Sequence, residues 1–117
     1  MFLPEIRFCG PDDVPAIIEA NGLSLYPWPD AVIARDLAAS SLSDPLEKGL
    51  SYLGAFSRGA GSRLLGYAVM GHEAGFALLM GLMVLPEYRR RGIGTQLVLA
   101  VAECARSMGR TRLILRV

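Results

Sequence analysis

The sequence predicts an α/β domain built on a mixed sheet, in the order β-α-α-β-β-β-α-β, and three observations carry that reading. Phe76 to Leu85 is nearly unbroken apolar sequence, which suits a central strand covered on both faces. After Pro86 the period changes, because Ile93, Leu97, Ala100, Val101, Cys104 and Met108 recur at spacings of three and four and mark one face of a helix. Upstream, Tyr52 to Ser57 and Leu64 to Met70 read as two strands joined by the hairpin segment Arg58 to Arg63, so they feed the central strand as an antiparallel meander.

The remaining elements follow in chain order. Glu5 to Cys9 alternates charged and apolar residues, with Ile6 and Phe8 facing one way, and is a short first strand that Gly10 and Pro11 end. Asp12 is placed to cap a helix whose apolar face is Val14, Ile17 and Ile18. Pro15 falls in the first turn, where its missing amide proton has no partner to lose, and Asn21-Gly22 closes the helix. Tyr26-Pro27-Trp28-Pro29 is a stiff aromatic loop, since each proline constrains itself and the residue before it. A second helix is expected from about Pro29 to Ala39, with Val32, Ile33 and Leu37 inward. Ser41 to Gly49 is a polar connection. Gly71 to Gly75 is expected to turn the chain into the central strand, and Gly81 within that strand marks a bulge or a close ligand approach. Leu113 to Val117 is a last strand.

Length and composition set bounds. The 117 residues make one domain, 1–117, and an apolar fraction of 52% is enough to fill one core. The longest stretch free of charge and histidine, Ala74 to Pro86, is too short to span a bilayer, and Glu5 and Arg7 precede any signal-peptide core. A cytoplasmic protein without membrane contact is therefore expected. Cys9 and Cys104 sit in no metal-ligand spacing and read as buried reduced thiols; with His72 as the lone histidine, no metal site is predicted. Residues 1–57 carry eight acids against three bases, and residues 58–117 carry nine bases against three acids. The basic half lacks aromatic interleaving and nucleic-acid motifs, so an anionic small cofactor explains the asymmetry better than nucleic acid does.

That cofactor has a seat in the sequence. Leu82 to Leu97 reads as an apolar run, a proline stop, the three arginines Arg89, Arg90 and Arg91, and the spaced glycines Gly92 and Gly94. Glycines let the backbone turn sharply and approach a ligand, while the first amides of the following helix lack intrahelical partners and favour an anion. The loop has neither the G-x-G-x-x-G of a dinucleotide fold nor the G-K-[ST] of a nucleotide triphosphatase.

A basic residue at Arg89, then Gly92 and Gly94 at the spacing [QR]-x-x-G-x-[GA], resembles the acetyl-coenzyme A motif of the GCN5-related N-acetyltransferase (GNAT) superfamily. The resemblance implies that the loop Arg89, Arg90, Arg91, Gly92, Ile93, Gly94 and Thr95 holds the pyrophosphate of acetyl-CoA (coenzyme A) through backbone amides. It also implies that Leu82, Met83 and Val84 line the pantetheine arm and the thioester. The first half is loosely similar to the ribosomal-protein-alanine N-acetyltransferases, in Asp13-Val14-Pro15-Ala16-Ile17 and in the pair Pro27-Trp28. Tyr26 and Trp28 become candidates for the substrate groove.

Two departures from the family pattern stand out. The sequence ends at Val117, so the family's last helix and closing strands are not part of it, and Arg116 stands where the protein-alanine enzymes place a glutamate base. Arginine cannot accept a proton at neutral pH. His72 and Glu73 are the nearest acid-base candidates by chain position, and Glu87 is expected to pair with a neighbouring arginine. The expectation is an N-acetyltransferase acting on a primary amine, either a protein N-terminus or a small amine, with an acyl-CoA-binding module of impaired transfer activity as the alternative. The uncovered last strand further suggests pairing with a second copy, as a homodimer, or a shortened form of a longer enzyme.

Overall fold

The computed structural model describes residues 3–24, 27–40, 50–59, 61–73, 76–109 and 112–115. Five strands form one sheet in the spatial order β1-β2-β3-β4-β5: β1 (Glu5–Phe8), β2 (Leu50–Phe56), β3 (Leu64–Glu73), β4 (Phe76–Val84) and β5 (Arg112–Leu115). The first four are antiparallel neighbours and β5 runs parallel to β4, so the sheet is mixed, as the sequence predicts. Helices α1 (Val14–Asn21) and α2 (Asp30–Ser40) connect β1 to β2, and α3 (Ile93–Ser107) connects β4 to β5. Among the described residues no helix is long and apolar enough to cross a membrane.

Each face of the sheet has its own core. On one face, Ile17 and Ala20 of α1 and Ile33 and Leu37 of α2 pack on Tyr52, Tyr67, Val69 and Met83. On the other, Ile93, Leu97, Val101 and Ala105 of α3 pack on Leu53, Leu65, Ala68, Met70, Ala77 and Leu79. The apolar continuity of β4 is thus the consequence of burial from both sides. Ile6 and Phe8 join the α3 face, as their alternation predicts. The buried stripe of α3 is Ile93, Leu97, Val101 and Ala105, while Cys104 and Met108 lie half-buried at its border. Cys104 is consequently only partly shielded; Cys9, by contrast, is buried, and both thiols are free.

Several local details differ from the sequence reading. Asp13, not Asp12, organises the start of the first helical segment: its carboxylate accepts from the Gly10 amide at 2.8 Å and pairs with Arg7 at 3.2 Å. Gly22 at the end of α1 is right-handed, with φ −63°, so the helix stops without a left-handed cap. Gly71, His72 and Glu73 belong to β3, paired with Leu78, Ala77 and Phe76, because these pairings extend the hairpin ladder past the expected turn. Ser41 to Gly49 lies outside the described residues.

Two irregularities of the sheet shape the site. Val69 pairs with Gly81 and Met70 with Leu79, which leaves Met80 as the extra residue of a bulge. The bulge inverts the alternation of β4. Before it, Ala77 and Leu79 face α3; after it, Val84 packs on the α3 side and Met83 on the α1/α2 side. The second is the extent of the β4–β5 ladder: among the described residues it runs from Phe76–Arg112 to Leu79–Leu115. Among the described residues, β4 from Met80 to Val84 has a strand on one side only.

Candidate active site: the open edge of β4 and the glycine-arginine loop

The site begins past the last described β4–β5 pair, Leu79–Leu115. The Leu85 amide donates to the Leu65 carbonyl on β3 at 2.9 Å. Because backbone polar groups of successive strand residues point to opposite sides, the amide and carbonyl of Val84, and by the same alternation those of Leu82, point to the open edge. Arg89 confirms the direction for Val84, since its Nε donates to the Val84 carbonyl at 3.0 Å. A chain of amides on a ligand can pair with such an edge as an added strand would.

The edge leads into the loop. Pro86–Tyr88 forms a single 3-10 turn after β4, and the chain then passes Arg90 and Gly92 in left-handed conformations, φ 64° and 79°. Gly92 adopts this region without a Cβ penalty, whereas Arg90 carries strain on the order of 1 kcal/mol. The double reversal sets α3 pointing back along the sheet with its N-terminus beside Val84. No side chain caps α3, and its first backbone bond runs from the Gln96 amide to the Gly92 carbonyl at 3.0 Å. The amides of Ile93, Gly94 and Thr95 are the helix's open donors, and the helix dipole adds to them an attraction for anions. They edge a shallow depression of about 250 Å³ that Val84, Tyr88, Arg89, Arg90 and Gly92 also line.

Gly94 has a different role from Gly92. A Cβ there would meet Val84 Cγ2 at 3.8 Å and Leu82 Cδ2 at 4.0 Å, ordinary contact distances, so the fold does not need a glycine at this position. Its bareness instead leaves open the gap between the helix start and β4. Leu82 and Val84 flank that gap. Met83 is a correction: its side chain is buried on the α1/α2 face, and by the same alternation its amide and carbonyl point to β3.

The arginines divide their work. Arg89 is tied to Val84, and Arg91 lies over the Tyr88 ring at 6.0 Å. Arg63, from the β2–β3 connection, approaches the same ring at 5.6 Å and pairs with Glu87 at 3.8 Å. Glu87 therefore pairs across the sheet with Arg63, in place of a neighbour in its own loop. Arg89, Arg90 and Arg91 remain exposed around the depression.

On the opposite face of Gly81 lies Trp28, whose Cη2 is 3.9 Å from where a Gly81 Cβ would be. Asn21 fixes this tryptophan: its Nδ2 donates to the Trp28 carbonyl at 2.8 Å, and its Oδ1 accepts from the Trp28 amide at 3.0 Å. Asn21 is buried, so this pair of bonds, and not a helix cap, is what the residue is for. The Trp28 ring meets Tyr52 edge-on at 6.4 Å, and Tyr52 stacks on Tyr67 at 6.2 Å. Burial pushes both phenols up, Tyr67 to about 12, and the Asp36 carboxylate adds to the rise at Tyr52. Tyr26 lies outside the described residues.

His72 and Glu73, in contrast, are removed from the site. Their β4 partners are Ala77 and Phe76, so they sit at the far end of the strand, about 15 Å from Gly81 at roughly 3.3 Å per residue. Chain proximity to β4 made them candidates; strand direction overturns them.

A family model described as the acetyltransferase (GNAT) family matches residues 17–117. This chain belongs to the GNAT acetyltransferase family. Among curated proteins, none matches the sequence. Solved structures share the GNAT fold at low identity. An aminoglycoside N-acetyltransferase in complex with CoA is 20% identical with a TM-score of 0.77, over 98% of this chain and 77% of that one. The ribosomal-protein-alanine N-acetyltransferase from Brucella melitensis biovar Abortus 2308 is 17% identical with a TM-score of 0.73, over 97% and 80%. The PaiA N-acetyltransferase from Thermoplasma acidophilum, in complex with coenzyme A, is 22% identical with a TM-score of 0.73, over 93% and 76%.

Proposed function

We propose that this domain transfers an acetyl group from acetyl-coenzyme A to the nitrogen of a primary amine, a protein N-terminus or a small amine. The observation that supports it most is that β4, past the Met80 bulge, leads to a depression lined by Val84 and by the uncapped start of α3 at Ile93, Gly94 and Thr95. The coenzyme would supply an activated acyl thioester, with its pyrophosphate on those amides and its pantetheine amides along Leu82 and Val84. Exposed Arg90 and Arg91 add positive charge where the phosphates would lie. The bulge at Met80 and Gly81 releases β4 from regular pairing beside the thioester position, where an amide can meet a carbonyl oxygen as charge develops on it.

A second reading, binding of acyl-coenzyme A with impaired transfer, has its own support. Among the described residues, the atoms nearest a Cβ at Gly81 belong to Val69 and Trp28, neither of which accepts a proton. Attack on the thioester requires the amine uncharged, and water is one route by which its proton can leave. Calorimetric titration with acetyl-coenzyme A tests the shared part of both readings, and thiol release in the presence of amine separates them. Saturable binding with amine-dependent thiol release is the expected result. Binding without release would leave the second reading, and no binding would sink both. Association of two copies along β5, an edge of the sheet as described, remains a proposal that sedimentation at micromolar concentration tests.

A further inference from the structure

The bare backbone at Gly81 has a cover that the proposed coenzyme seat leaves unused. Past Leu82, the edge of β4 meets Leu115 of β5, which pairs with Leu79 just beyond the bulge and occupies the edge there. On the α3 face, Ala68, Leu79 and Leu97 are closed core, each no more than 1% exposed. Among the described residues, the α1/α2 face over Gly81 is the remaining way out. Met80 leaves it clear, since its Sδ lies 2.9 Å from where a Gly71 Cβ would be, two residues along β3 from Val69, the partner of Gly81.

Trp28 closes that face. A Cβ at Gly81 would lie 3.9 Å from Trp28 Cη2, so the tip of the indole stands less than about 6 Å from the Gly81 backbone itself. A carbon lodged between the two would need about 3.5–4.0 Å on each side, more than the gap offers. The ring is also fixed. Asn21 bonds both the amide and the carbonyl of Trp28, at 3.0 and 2.8 Å, Pro27 and Pro29 restrict the backbone on either side, and Tyr52 meets the ring edge-on at 6.4 Å.

We propose that Trp28 sets the length of acyl chain the domain accepts, by walling off the α1/α2 face over Gly81 so that acetyl fits and butyryl or longer chains are excluded. The inference rests on the coenzyme reading above and specifies its acyl donor. In that reading the two amides of the pantetheine arm lie along Val84 and Leu82, and the two carbons that follow them carry the sulfur to Met80 and Gly81. An acyl group starts there, and each added carbon must cross the position that the indole fills. Trp28 is thereby a specificity residue for the donor, a role separate from lining a groove for the acceptor.

The test is calorimetric titration of coenzyme A, acetyl-coenzyme A, butyryl-coenzyme A and hexanoyl-coenzyme A into the full chain, unaltered and as Trp28→Ala and Trp28→Phe. The bonds from Asn21 reach only the backbone of residue 28, so both variants keep the loop anchored, and melting curves check that they fold. The unaltered protein should bind hexanoyl-coenzyme A at least about tenfold more weakly than acetyl-coenzyme A, and Trp28→Ala should bring the two within about twofold while free coenzyme A binds as before. Trp28→Phe, which keeps an aromatic contact with the core, should admit butyryl-coenzyme A, and it decides the question where the alanine variant does not fold. Equal binding of all acyl lengths by the unaltered protein, a length preference unchanged in the variant that folds, or an equal loss there for all four ligands would overturn the wall. Free coenzyme A that does not bind sinks the transferase reading and the wall with it, whereas coenzyme A that binds without any acyl-length preference sinks the wall alone.

Discussion

The two faces of the sheet solve their tasks in opposite ways. On the α3 face, the proposed coenzyme site is one continuous stretch, Leu82 to Thr95, and what it offers is mainly backbone amides, set by a bulge, a left-handed glycine and an uncapped helix. On the α1/α2 face, Asn21, Trp28, Asp36, Tyr52 and Tyr67 come from four separate elements and one loop-borne aromatic, and they act through side chains. A backbone site depends on conformation and tolerates side-chain change; a side-chain site depends on packing between distant segments. The two should therefore fail independently, and substitutions can be chosen to break one at a time.

The largest effect is expected at Gly92. Valine there would be forced into φ 79°, a region a β-branched residue avoids, although the added atoms would meet nothing within 4 Å. Gly92→Val should remove coenzyme binding by reorienting the Ile93 to Thr95 amides, and lower stability by about 1–2 kcal/mol. Calorimetry and thermal melting check both. Retained coenzyme affinity would mean that the left-handed turn is not what aims the amides.

Asn21→Ala acts on the other face. It deletes both bonds that hold the Trp28 backbone and should cost about 2 kcal/mol. Amine binding should weaken while coenzyme affinity stays constant. A matching loss of coenzyme affinity would show that the faces are coupled.

A smaller and graded effect comes from Cys9, 4% exposed under α1 and α2. Burial pushes its thiol up from 9.0 to about 12. A raised value means the folded state keeps the proton that the unfolded chain releases, so stability is full below about pH 9 and declines as pH rises toward 12. The slope from one such group approaches 1.4 kcal/mol per pH unit, about the free energy of one proton. Cys9→Ala should flatten the alkaline part of a stability profile measured by denaturant unfolding. An unchanged slope would assign the alkaline loss to the raised phenols of Tyr52 and Tyr67.

This contrast also governs what could be read from sequence. The strand, proline, arginine and glycine pattern of Leu82 to Thr95 is local, so its period, its turn chemistry and its family likeness all lie within one window. The bulge was legible at Gly81, but the phase inversion that sends Met83 to the far face was not, because it depends on which residue β3 skips. Asn21 looked like a helix terminator, since asparagine before glycine commonly ends helices, and its bonds to Trp28 become visible only when the loop folds back. Asp36 and Tyr52 are sixteen positions apart on different elements and match no motif. His72 and Glu73 show the reverse case, where nearness in sequence concealed the length of a strand.

Gly94 offers the most direct test of the central claim, that the gap between β4 and the start of α3 is where acyl-coenzyme A binds. A valine Cβ there would sit at 3.8 Å from Val84 and 4.0 Å from Leu82, so the fold should accept it while the gap fills. Acetyl-coenzyme A should titrate saturably into the unaltered protein and not measurably into Gly94→Val, with the two melting within a few degrees of each other. Equal affinity in both proteins would contradict the claim and place the coenzyme elsewhere on the molecule.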